Sequence, residues 1–119
     1  MEGKMNREKL IDAGIDYDQG VNRFAGKQDI YEKFLKKLFE KQLMEDLKIK
    51  LKEKNYEEAF RIAHDLKGTS GNLSVTLFYK KICEIVENLR EERNEESLLN
   101  LYNQAEMLYL NAKKAVGDE

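Results

Sequence analysis

Proline and tryptophan are absent from the 119 residues of this chain, and cysteine and histidine occur once each, as Cys83 and His64. Without proline nothing forbids long helices, and with 37% charged residues and many Leu, Lys and Glu the composition favours amphipathic helices. A sheet would want more Val, Thr and turn punctuation. One cysteine excludes an internal disulfide and any cysteine-rich metal cage, so Cys83 is expected to be a small buried apolar residue. No apolar run approaches the length of a membrane span, and Met1-Glu2-Gly3-Lys4 lacks the apolar core of a signal peptide, which predicts a cytoplasmic protein. Charge of one sign is lacking too: 21 basic and 23 acidic residues are finely interspersed, for a net −2. That balance argues against a nucleic-acid footprint.

What is present is enough for one hydrophobic core, hence one domain. Residues 1–13 read as a polar, partly helical segment ahead of a bundle over 14–116. Gly14-Ile15-Asp16 and Gly26 bracket a short segment from Tyr17 to Phe24. Asp29 with Glu32, and Asn55 with Glu58, read as capping boxes. The first opens a stripe of Tyr31, Phe34, Leu35, Leu38, Phe39, Leu43 and Leu47. Four long helices are predicted over 28–53, 55–71, 74–92 and 95–115, joined by short links. Such links imply an all-α, antiparallel up-and-down four-helix bundle with one or two short N-terminal helices. A bundle with no evident second apolar face is expected to be a monomer. The initial methionine and the frayed ends, including Gly117-Asp118-Glu119, suggest a free-standing protein.

At about 100° per residue, Ala59, Ile62, Ala63, Leu66, Ser70 and Leu73 share one face of the second long helix. Glu57, Phe60, Arg61, His64, Lys67, Gly68 and Gly71 share the other, so His64 is predicted to face away from the core. An idle surface histidine would explain that placement alone, but not its neighbours. Glycine in a helix costs about 0.5–1 kcal/mol relative to alanine, so Gly68 and Gly71 want a reason. Room for another macromolecule beside the imidazole is one; a helix end near residue 71 is the alternative for Gly71. Lys67, one turn on, would stabilise an anion carried by the ring, as reversible phosphorylation of a histidine requires. Lys67 could equally be one more solvated lysine. Phe60 either tucks against a neighbouring helix or joins a docking surface with Arg61.

Other chemistries want parts that are missing. No nucleophile and orienting group, and no set of three or four zinc ligands, can be assembled around His64. No phosphate-binding glycine loop or kinase lysine and aspartates are present, so the chain is not expected to be an enzyme that uses ATP. A phosphoryl group would have to come from a partner.

Ala63-His64-Asp65-Leu66-Lys67-Gly68 resembles the AHxLKG signature of the histidine-containing phosphotransfer (HPt) domain family, and Thr69-Ser70-Gly71-Asn72-Leu73 continues as family members often do. Gly14-Ile15-Asp16, Gly20, Arg23-Phe24, Gly26, Tyr31, Leu35 and Phe39 are similar to the family's N-terminal pattern, so the likeness spans roughly residues 14–110. The resemblance implies that His64 is phosphorylated in a phosphorelay, that Lys67 steadies the phosphoryl group and that Gly68 keeps the approach open. The implied partners are receiver domains of response regulators, which would bring the phosphorylated aspartate and Mg²⁺, and a hybrid histidine kinase. No cofactor of the chain's own is implied. Two positions depart from the pattern. Ser74 stands where many relatives have glycine, and is expected to alter a helix start without abolishing it, because serine caps well. Val86 stands where relatives often place a glutamine or glutamate that holds the ring's other nitrogen. Two further readings are a bundle that docks a receiver or kinase without carrying phosphate, and a phosphohistidine phosphatase or metal hydrolase.

Overall fold

The computed structural model describes residues 5–117. The expectations for Met1-Glu2-Gly3-Lys4 and for the last two residues of Gly117-Asp118-Glu119 lie outside the described residues. Seven helices run along them: α1 (Arg7–Asp12), α2 (Tyr17–Arg23), α3 (Gln28–Leu38), α4 (Leu43–Lys52), α5 (Tyr56–Asn72), α6 (Thr76–Glu91) and α7 (Glu95–Val116). α4 to α7 close a ring in which each packs on its neighbours, α4 on α5, α5 on α6, α6 on α7 and α7 back on α4. Short links between contacting helices make this the up-and-down bundle that the sequence predicts, with α1 to α3 laid on it.

The helix starts are chemical. Asn6, Asp16, Asn55 and Asn94 each accept a hydrogen bond from the backbone N–H three residues on, satisfying a donor with no intrahelical partner. At Asn55 the box is half made: Asn55 caps, but Glu58 accepts from Arg61 instead of reaching back. At Asp29 it is not made at all. Lys27 is the N-cap of α3, and an ammonium has no acceptor with which to make a side-chain cap bond; the Glu32 carboxylate accepts from the Tyr17 hydroxyl at 2.6 Å.

The expected helix over 28–53 is two helices. Tyr31, Leu35, Leu38 and Phe39 are buried before the break, and Met44, Leu47 and Leu51 after it. The five-residue step from Phe39 to Met44 would turn a continuous helix by about 140°, carrying the second set off the core. Breaking at residues 39–42 keeps both sets inward: Phe39 packs its ring on Tyr109, with centroids 5.0 Å apart, and the Tyr102 hydroxyl donates to the Met44 carbonyl at 2.9 Å. Phe34 and Leu43 of the predicted stripe are exposed and half-buried, and Met44 takes the inward position.

Two further corrections concern small residues. Cys83 is half-buried on α6, beside the Tyr79 hydroxyl, not interior. Ser74 does not cap α6; Val75 does, without a side-chain bond. Ser74 is buried in the left-handed region at φ 58°, a backbone conformation that favours glycine. Its hydroxyl donates to Gln19 Oε1 at 2.8 Å, and its carbonyl accepts from the Asp16 N–H at 2.8 Å, tying α2 to the α5–α6 turn. At the N-terminal end, Leu10 of α1 is fully buried in the same core as the bundle.

Candidate functional site

α5 sorts its side chains as its periodicity demands. Ala59, Ala63, Leu66, Ser70 and Leu73 are buried, Ile62 is half-buried, and Glu57, Arg61, His64 and Gly68 are exposed. The inward side chains are small enough for α6 to pack closely along α5. His64 is thereby held on the outer face of a helix whose other face is locked in the core.

The imidazole of His64 makes no hydrogen bond to any described residue; its one ring contact is Phe60, one turn earlier, with centroids 5.9 Å apart and planes tilted by 32°. Phe60 does tuck inward, half-buried against the core, and the Arg90 guanidinium from α6 lies 5.5 Å from its ring centroid. Arg90 is itself held by Glu87 at 2.9 Å. Val86 is fully buried and cannot support the ring. Arg61 points to solvent with its charge committed to Glu58 at 2.6 Å. That carboxylate holds the guanidinium pKa above its ordinary value.

The two glycines separate here. A Cβ on Gly68 would meet nothing within 4 Å, so no described residue fills the space over Gly68, one turn from His64. A Cβ on Gly71 would lie 2.9 Å from the Tyr79 ring of α6. α5 does end near Gly71, at Asn72, as the helix-end explanation has it, and the bareness of Gly71 also serves contact between helices of the same chain, a role not among those expected from the sequence.

His64, Lys67 and Gly68 form one wall of an open groove of about 440 Å³, closed on its other sides by Gln19 and Arg23 of α2 and by Thr76, Tyr79 and Lys80 of α6. No carboxylate lines it, and its charges are three cations. Arg23 carries no separate signal in the sequence beyond its place in the family pattern, and Tyr79 and Lys80 carry none. Their arrival at the site depends on how α2 and α6 dock. Among the described residues no group of three or more His, Cys, Asp and Glu stands together as metal ligands, and no helix is long and apolar enough to cross a membrane.

A helical bundle that offers one solvent-facing imidazole, with a lysine and an open glycine beside it, has the form of a histidine phosphotransfer module. The family model for the Hpt domain matches residues 29–112, and the chain belongs to that family. Domains of this family carry phosphoryl groups on histidine in phosphorelays, as carriers and not kinases, and interact with receivers and kinases. No curated protein and no solved structure matches the chain.

Proposed function

We propose that this protein is a phosphorelay intermediate in which His64 takes a phosphoryl group from the aspartate of one receiver domain and passes it to another. The observation that carries this is the exposed His64 with open space over Gly68 and Lys67 one turn on. In the transfer, the lone pair of an imidazole nitrogen forms the N–P bond while the P–O bond to the receiver's aspartyl carboxylate breaks. The carboxylate leaves with that electron pair. Little else is required beyond alignment and neutralisation of charge on the phosphoryl oxygens. Lys67 supplies part of that neutralisation, and Mg²⁺ bound by the receiver supplies the rest. Gly68 admits the partner's backbone, and the tilted Phe60 ring, its centroid 5.9 Å away, flanks the imidazole where no polar group from Val86 is available.

The test is transfer of label from a phosphorylated receiver to the purified chain in the presence of Mg²⁺. Wild type should become labelled, and His64→Gln should not; equal labelling of both would end the assignment. The buried Val86 favours a second reading, in which the bundle docks a receiver without carrying phosphate. Tight receiver binding by a wild-type protein that never takes label would establish that one.

A further inference from the structure

The chain has five arginines, and four are committed within it. Arg7 pairs with Asp18 at 2.6 Å, Arg61 with Glu58, and Arg90 with Glu87, while Arg93 Nε donates to the Leu89 carbonyl at 3.0 Å. Arg23 alone makes no hydrogen bond or ion pair with any described residue, and it borders the groove that holds His64. Exposed carboxylates are plentiful in this chain, yet none lines that groove.

The position of Arg23 is built. α2 is held on one side by Ser74, whose hydroxyl donates to Gln19 at 2.8 Å, and on the other by the Tyr31 ring, which sits against Gly20 where any Cβ would collide. Arg23 follows Gln19 by four residues, on the same face of α2, and so continues the wall that Gln19 begins. Lys67 from α5 and Lys80 from α6 border the same groove. Three cations from three helices therefore line the groove that His64 also lines. A phosphoryl group carries about −1.5 to −2 charges and oxygens that a planar guanidinium can engage in pairs.

We propose that Arg23 is a phosphoryl-binding residue, whose guanidinium engages the oxygens of the group on phosphorylated His64 while Lys67 and Lys80 act as point charges. This rests on the phosphotransfer reading above and extends it to a residue 41 positions away in sequence. Phosphorylation should then draw α2 more firmly onto the bundle, because the anion bridges the two.

Phosphoramidate, a small donor that needs no receiver, provides the test. Wild type, Arg23→Ala and Arg23→Lys are compared for the rate of labelling at His64 and for the NMR signal of each arginine Nε–H. Labelling is expected to slow by roughly tenfold in Arg23→Ala, with partial recovery in Arg23→Lys, as befits one charge-assisted contact. The Arg23 Nε–H signal should move on phosphorylation while that of Arg7 stays. Melting temperature should be unchanged, since Arg23 makes no hydrogen bond or ion pair with any described residue of the free protein. If Arg23→Ala labels at the wild-type rate and the Arg23 signal is still, the assignment is overturned. Saturable binding of inorganic phosphate at Arg23, with no effect of the substitution on labelling, would assign the site to free phosphate and overturn it equally. A wild type that takes label from neither phosphoramidate nor a receiver would remove the phosphotransfer reading, and Arg23 with it.

Discussion

At the scale of single residues, the two glycines of α5 show how alike positions in a sequence can serve opposite purposes. Gly68 faces empty space, and Gly71 faces the ring of Tyr79. Gly68→Ala should therefore stabilise the protein by about 0.5–1 kcal/mol, the helix-propensity difference, while slowing transfer to a receiver. Thermal melting and a transfer assay on one sample check both halves. Gly71→Ala should gain less or lose stability, because its Cβ must displace the Tyr79 ring. The motif around His64 was legible because it is local: helix phase alone turns residues 64, 67 and 68 to one side. Which glycine borders open space and which an internal contact was not legible, since Tyr79 comes from another helix.

Among the elements, α3 matters to the site without touching it. The buried Tyr31 hydroxyl donates to the carbonyl of Leu73 at 2.7 Å, where Leu73 is the C-cap of α5. It thus fastens the end of the histidine helix and, through its ring against Gly20, the side of α2. Tyr31→Phe should cost about 1–2 kcal/mol, as the acceptor is left buried without its donor, and chemical denaturation measures it. The start of α5 was readable from its Asn55 cap, whereas the Asn6, Asp16 and Asn94 caps of α1, α2 and α7 emerge only with the structure. The break between α3 and α4 was not, because Phe34 and Leu43 continue the apolar spacing through it and only docking on α7 selects Met44 instead.

Over the whole molecule, tyrosines are the titrating groups of the interior. Tyr31, Tyr102 and Tyr109 have pKa values raised above the ordinary tyrosine value, by burial first. Each is neutral in the folded state at pH values where the unfolded chain would already lose its proton. Their contribution to stability is full below about pH 10 and declines as pH rises toward the folded-state values. Stability measured by denaturant should accordingly fall as pH rises from about 10 to about 11, with a shallower fall in Tyr31→Phe. The surface ion pairs, such as Arg7 with Asp18 and Lys54 with Glu95, are exposed on both sides and should matter little to that balance.

By itself the sequence determined the helical class, the length and phase of α5 to α7, and the trio of His64, Lys67 and Gly68, all of which depend on neighbours within a turn or two of the chain. The tertiary structure decided where the α3–α4 break falls, why Ser74 takes a left-handed backbone, and which residues close the groove opposite His64. Those depend on the docking of α2, α6 and α7, and contacts between segments tens of residues apart leave no periodic trace in a single sequence.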